Sequence, residues 1–264
     1  MRRKMVRIKL MSYNIRHGRG MDDQVDLSRV ADVIKRSGAD IVGIQEADEH
    51  WSERSDYEDQ TAWLASELGM HHVYGGSIDL DPTAESRGHR RKHGAAVLSK
   101  HPIQASRQRL FSTCVKSRRE LLETEIDVEG VVLHFYCTHW GLEAEERMIQ
   151  SGETIQWMNE KIGPGVVVGD FNAEPGSPEM VRIFREFCDS CAGEPTSSAL
   201  YTFAADRPVK RIDYMLGNRH IRLSNHEVIF TLASDHLPIL CQAEFGIIEQ
   251  RRGNPETGGS MARC

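Results

Sequence analysis

Two mixed β-sheets packed together with helices outside, an α/β architecture, are what this sequence predicts. Three observations lead there. Short apolar runs that end in polar side chains recur from residue 6 to residue 245, and strands outnumber helices. The chain opens on a strand–helix–strand pattern, the connection that parallel strands need. Two apolar runs flank Gly130 and read as a hairpin, which is an antiparallel connection.

Val6 to Tyr13 alternate apolar and polar and predict a strand ending at Asn14. Asp26 or Ser28 starts a helix carrying Val30, Val33 and Ile34, and Gly38 stops it. Asp40 to Ile44 is nearly all apolar, predicts a strand buried on both faces, and ends in Gln45-Glu46. After a polar loop, Asp48 to Asp59, a helix carries Trp63, Leu64 and Leu68 and stops at Gly69. His72 to Tyr74 is a short strand. Asp79 to His93 holds Arg87, Arg90, Arg91 and Lys92 and predicts a mobile loop, either a solvated surface or a basic lip for a phosphate-bearing substrate.

Further strands are predicted at Gly94 to Ser99, Leu121 to Ile126 and Val131 to Cys137, the last running into Thr138-His139-Trp140. Ala144 to Lys161 is a helix with Met148, Ile155 and Met158 on its buried side. Val166 to Val168 leads into Gly169-Asp170-Phe171-Asn172, and Pro178 to Phe187 is a helix. Arg211 to Leu216 is a strand carrying Asp213, and Val228 to Phe230 is another. Ser234-Asp235-His236-Leu237-Pro238 precedes the last strand, Ile239 to Phe245. No repeat or linker divides the chain, so one domain is expected over 1–248, with a disordered tail over 249–264.

The composition excludes some classes. A formal net charge of -6 argues against a protein that coats nucleic acid by a global basic field, though not against a local basic groove. The six cysteines are sparse for the length and suggest no disulfide framework; Cys188 and Cys191 form one C-x-x-C with no second pair to complete a zinc site. No apolar run follows the basic start, and none is long enough to span a membrane. A soluble cytoplasmic protein without stable membrane association is expected, and no protein partner is predicted.

The polar strand ends carry the chemistry: Asn14, Glu46, His139, Asp170 with Asn172, Asp213, and Asp235 with His236. Along an extended chain, Asp170 and Asn172 fall on one face, able to hold a hard cation, orient a water or grip a phosphate. The carboxylates and amides are hard oxygen donors, which suit magnesium or manganese better than zinc. Two histidines without nearby cysteines suit acid–base work. Singly, most have a plainer reading. Asn14 caps a turn, Glu46 pairs on the surface, His139 is a satisfied core histidine, Arg147 is a helix-surface cation, and Asp235-His236 makes a turn. Asp213 resists that reading, because an unpaired carboxylate on a buried strand is costly.

Ser12-Tyr13-Asn14-Ile15-Arg16, Ile44-Gln45-Glu46, Thr138-His139-Trp140, Gly169-Asp170-Phe171-Asn172, Arg211-Ile212-Asp213-Tyr214 and Ser234-Asp235-His236-Leu237-Pro238 together resemble the endonuclease/exonuclease/phosphatase superfamily, in the family's order. The resemblance implies a four-layer α/β sandwich of the DNase I type and hydrolysis of phosphoester bonds with Mg2+ or Mn2+. The Asn-Ile-Arg and Thr-His forms resemble the DNase I and neutral sphingomyelinase side of the family. It further implies Glu46 as main metal ligand, with Asn14 and Asp235 completing or placing that shell. Asp170 and Asn172 would orient the attacking water and the phosphate. Asp213 would hold His236 in one tautomer, and either His236 or Asp170 would be the base. His139 would donate to a phosphoryl oxygen or protonate the leaving group. Arg147 and Gln150 match the family's Arg-x-x-Gln, and Arg119 stands where relatives carry a phosphate-contacting arginine.

Two departures stand out. Gly94-Ala95 replaces the usual Gly-Asn, which removes a substrate-contacting amide, and Trp140 stands where leucine is usual, either as core or as a stacking platform at the rim. The implied substrate contains phosphate, as nucleic acid or a small phosphodiester. Three other readings fit the same residues: a non-catalytic phosphate-binding module on this fold, a phospholipid head-group phosphodiesterase, and a zinc hydrolase using His139 and His236.

Overall fold

The computed structural model describes residues 3–113, 115–193 and 197–248; the expected tail lies outside them. In chain order the first elements are β1 (Arg3–Asn14), α1 (Leu27–Ser37), β2 (Ile41–Glu49), α2 (Gln60–Leu68), β3 (His71–Tyr74), β4 (Ile78–Leu80), β5 (Arg91–Ser99) and β6 (Ile103–Leu110). There follow β7 (Glu120–Val128), β8 (Val131–His139), α3 (Ala144–Asn159), β9 (Gly165–Asp170), α4 (Pro178–Ile183), β10 (Cys188–Asp189), β11 (Asp213–Gly217), β12 (Ile221–Val228) and β13 (Ile239–Ile248).

The strands form a seven-stranded sheet, ordered β12-β13-β1-β2-β5-β3 with β4 also on β5, and a six-stranded sheet, ordered β10-β11-β9-β8-β7-β6. Each is mixed: β1 with β2 and β8 with β9 run parallel, and the other pairs are antiparallel. Alternation along each strand sorts its side chains between layers. Val6, Ile8 and Leu10 of β1 meet Leu133, Phe135 and Val168 of the other sheet, while Met11 and Tyr13 turn to the layer of α1 and α2. Val167, Tyr136 and Tyr214 pack outward against Met158 of α3 and Met180 of α4. The result is helix, sheet, sheet, helix, as the resemblance implied.

Local sequence explains the helix ends. Asp26 caps α1 by accepting from the Ser28 amide, and Asp59 caps α2 by accepting from Ala62. Both helices stop at a glycine in the left-handed region, Gly38 at φ 69° and Gly69 at φ 63°. At Gly43 the inter-sheet layer leaves no room for a side chain: a Cβ would lie 2.4 Å from Val168 Cγ2 and 3.1 Å from Cys137 Sγ. Among the described residues, no helix is long and apolar enough to cross a membrane.

The structure corrects several expectations. The stretch Asp79 to His93 is a loop only in its middle, 81–90; its ends lie in β4 and β5. β4 pairs with β5, Arg90 binds Asp79 at 2.6 Å and Asp81 at 3.0 Å, and Lys92 binds Glu49 at 2.8 Å, so much of the basic lip is neutralised. β2 does not end at Glu46 but runs on to Glu49 through a register shift between Ile44 and Ala47. β6 is an edge strand, mostly exposed and polar, so it shows no apolar alternation to read. Trp140 is fully buried, 4.6 Å from the Phe171 ring, and belongs to the core rather than the rim. The helix from Pro178 stops at Ile183, short of the expected Phe187.

Gly43→Ala is expected to destabilise the protein by about 1–3 kcal/mol, because the added methyl overpacks the layer between the sheets. A thermal melt checks it: an unchanged midpoint would mean that the layer yields freely.

Candidate functional site

The two sheets end side by side in matching order. Across the first sheet, the sequence β13, β1, β2, β5 brings up Asp235 and His236, then Asn14, Glu46 and His93. Across the second, β11, β9, β8, β7 brings up Asp213, Asp170, His139, and Arg119 beside Glu120. Side chains facing each other across this seam make the site. His236 Nδ1 is 2.9 Å from Asp213 Oδ2. Asn14 Nδ2 donates to Asp170 Oδ2 at 3.1 Å and to its own-sheet neighbour Glu46 at 3.1 Å. His139 Nδ1 lies 4.0 Å from Glu46 Oε1, and its Nε2 lies 3.4 Å from Asp170 Oδ2. Asp170 Oδ2 is also 3.5 Å from His236 Nε2, so it stands between the two imidazoles.

Backbone geometry sets these directions. Glu46 sits at the irregularity in β2 with φ 60°, and such bulges re-aim a side chain at a sheet end. Asn172 lies beyond the end of β9 at φ 49°, so strand alternation does not orient it. Instead its N–H donates to Asp170 Oδ1 at 2.9 Å and its Nδ2 donates to the Trp140 carbonyl at 3.0 Å. Ser234 Oγ donates to the Asn14 carbonyl at 2.7 Å and accepts from the His236 N–H at 3.3 Å, tying the last loop to β1. Arg16 Nε lies 3.5 Å from Asp235 Oδ2.

The two imidazoles are driven to opposite states. Burial tends to lower the pKa of His236, but the charges of Asp213 and Asp170 and the Asp213 hydrogen bond outweigh it, raising the pKa to about 10. His139 is buried beside Arg119 and His236 and is pushed well below the ordinary histidine range. Its contacts with Glu46 and Asp170 are therefore those of a neutral ring. Burial pushes Asp170 up to about 7, with Asp213 and Glu46 adding to the rise and His236 opposing it. Burial raises Asp235 as well, with Glu46 contributing.

The donor chemistry fits a hard divalent cation. Glu46, Asp170, Asp213 and Asp235 crowd one end of the sheets, and burial alone already pushes two of them toward protonation. The tightest group, Asp170, Asp213 and His236, has donor atoms within 4.8 Å of one another, yet its imidazole is spent on Asp213. Glu46 and Asp235 keep side chains 27% and 25% exposed, open to an incoming ion. Asn14 differs from expectation: its nitrogen faces the carboxylates while its oxygen accepts from the Arg16 N–H at 3.1 Å. In this orientation it places Glu46 and Asp170 and offers no oxygen to an ion.

Arg119 reaches the site region, with Nε buried and without a hydrogen-bond partner among the described residues. Burial lowers its pKa, against the pull of Asp170 and Glu46. Arg147 does not join the cluster. Its Nε binds Glu179 of α4 at 2.6 Å and its Nη1 binds the Leu142 carbonyl at 2.5 Å, so it braces α3 against α4. Gln150 accepts from Gly141 N–H at 2.8 Å and steadies the turn after His139. At the expected missing amide, the Ala95 N–H is taken by Glu120 at 2.8 Å, and a side chain at Gly94 would meet Glu120 Oε1 at 2.4 Å. Sequence reasoning did not single out Asp48 and His93, which lie at the ends of the stretches read as a polar loop and as a basic loop or lip.

Two mixed sheets between helices, with carboxylates, amides and imidazoles gathered at one seam, define a protein of the DNase I-like class. The chain belongs to the Endonuclease/Exonuclease/phosphatase family, whose family model matches residues 11–236. It is 30% identical over 226 residues to the YbhP protein of Escherichia coli strain K12, covering 78% of this chain and 82% of that one. An endonuclease/exonuclease/phosphatase structure from Beutenbergia cavernae shares the fold at TM-score 0.78 and 23% identity, over 93% of this chain and 72% of that one. A mannosyl-6-phosphatase of Bacteroides thetaiotaomicron does so at 0.74 and 17%, over 89% and 99%. At these identities the structural likeness is one of fold. Members of the family are generally hydrolases acting on phosphate-containing substrates, and they typically use divalent metals.

With chelator present, the His236 ring is expected to carry both protons at neutral pH and to titrate near pH 10. Long-range proton–nitrogen spectra read this directly, and Asp213→Asn is expected to shift the titration downward. Because the folded pKa is raised from 6.5, the stability it contributes is complete below that value and fades as pH rises through about 10. A ring that loses its second proton below pH 7 would contradict the assignment.

Proposed function

We propose that this chain hydrolyses phosphoester bonds, phosphodiesters foremost, with magnesium or manganese, residues 1–248 acting as one domain. The observation that carries the reading is the facing order of the two sheet ends, which sets Asp213, Asp170 and His139 against His236, Asn14 and Glu46. Glu46 and Asp235 would hold the divalent cation, which supplies Lewis-acid polarisation of a phosphoryl oxygen when bound.

The remaining work falls to side chains already in place. Asp170, with its pKa raised to about 7, accepts a proton from the attacking water. Its own position is fixed by the amides of Asn172 and Asn14. His236, held as a cation by Asp213, faces the charge that builds on the phosphate. That state suits charge stabilisation and makes Asp170 the better base. His139, being neutral, donates one N–H to a phosphoryl oxygen. Arg119 adds a second fixed cation. The water oxygen bonds to phosphorus as the bond to the leaving oxygen breaks in line with it.

The test is a panel of bis-p-nitrophenyl phosphate, p-nitrophenyl phosphate, DNA and RNA, each with magnesium, manganese and chelator. Metal-dependent cleavage is expected, falling by about a hundredfold or more in Glu46→Ala and in His236→Ala. Variants that match the wild type, or a wild type silent on every substrate, would overturn the reading.

A further inference from the structure

Beyond Glu46 and His139 the seam continues into a cavity of about 150 Å3 that Glu46, His139, His93, Arg118, Arg119 and Ser77 help to line. Its position follows from strand order. His93 on β5 comes next after Glu46 on β2, and Arg119 precedes β7, next after His139 on β8. The cavity therefore lies on the far side of Glu46 and His139 from the Asp213–His236 pair. In an in-line displacement started from the Asp170–His236 side, this is where the departing part of the substrate sits.

The cavity is built to hold something. His93 Nδ1 lies 2.8 Å from Asp48 Oδ1, and Asp48 is fully buried. Arg54 grips that same carboxylate at 2.9 Å and 2.7 Å, and Ser55 Oγ donates to it at 2.8 Å. A carboxylate only accepts, so Nδ1 carries a proton and Nε2 is the edge left for the cavity. This repeats the Asp213–His236 arrangement at the other end of the seam.

Cations without partners fill the rest of the wall. Arg118 is exposed and makes no ion pair with any described residue, and Arg119 Nε has no partner among them. Glu120 also borders the space, but its carboxylate is engaged by Ala95 N–H at 2.8 Å, Ser77 N–H at 3.2 Å and Gln108 at 2.6 Å. Burial raises its pKa, which weakens its negative charge. The space is roomy enough for a phosphate-sized group.

We infer that this cavity is a second anion site, in which Arg118 and His93 hold a further phosphate-type group on the leaving side of the substrate. Asp48 acts as a positioning residue through His93. The inference deepens the phosphoesterase reading and rests on it for the direction of departure.

Calorimetry on the magnesium-loaded protein tests it, with alkylene bisphosphonates of two to five carbons set against the matching alkylphosphonates. At one spacer length the bisphosphonate is expected to bind at least tenfold more tightly. His93→Ala and Arg118→Ala are expected to collapse that ratio toward one. Asp48→Asn should lower it too, a readout that a loss of stability alone does not move. Arg118 is exposed and unpaired, so its variant keeps the test valid if the others fail to fold. No preference at any spacer, or a preference that survives in Arg118→Ala and His93→Ala, would overturn the second anion site. Selective binding together with no cleavage of any substrate in the panel would leave the anion site standing and defeat the phosphoesterase reading.

Discussion

Carboxylates gathered at one end of two packed sheets repel one another, and the apolar layer beneath them is what keeps them there. Val6, Ile8, Leu10, Phe135 and Val168 fill that layer, and Gly43 lets the sheets approach where a side chain would collide. The strand ends are thereby held in register, and Asp170 and Asp213 meet donors from the facing edge, Asn14 and His236. Asn14 sits at the centre, its amide nitrogen 3.1 Å from both Glu46 and Asp170. A neutral donor there relieves part of the repulsion and leaves the remainder for an ion or a substrate to exploit.

The two histidines show how one seam produces opposite chemistry. Both rings approach Asp170 Oδ2, at 3.4 Å and 3.5 Å. His236 also has Asp213 in hydrogen-bond contact, and two carboxylates overcome its burial. His139 has Arg119 and His236 within electrostatic reach instead, and burial prevails. The difference arises from the neighbouring strand: β11 contributes an acid beside β9, while the segment before β7 contributes a cation beside β8. Pairs of titratable groups whose surroundings push them apart are a recurring mark of acid–base division of labour.

Much of this was legible in the sequence, because apolar runs ending in polar residues are what buried strands with exposed ends look like. The strands around Leu10, Ile44, Phe135 and Val167 could be read that way, and so could the side chains that cap them. The rest was hidden for identifiable reasons. β6 is mostly exposed and polar, so no apolar period marks it. The turn of Glu46 depends on a backbone irregularity that no residue type announces. Asp48 and His93 belong to polar stretches 45 residues apart, and only the pairing of β2 with β5 brings them together. Arg147 matched a pattern by spacing, but its partner Glu179 lies on another helix that spacing cannot reveal.

The pairing of β1 with β13 joins Arg3 to Ile248 and places the first strand inside the sheet, between the last strand and β2. A chain made from its N-terminus therefore presents a central strand whose one edge stays unpaired until β13 has been made. Backbone groups exposed on such an edge invite pairing with other chains. The loop that must close runs from β1 to β13, through every other strand described, which slows assembly. Asn14 and His236 come together at that closing step, so the seam of polar side chains is assembled only once β13 has paired with β1.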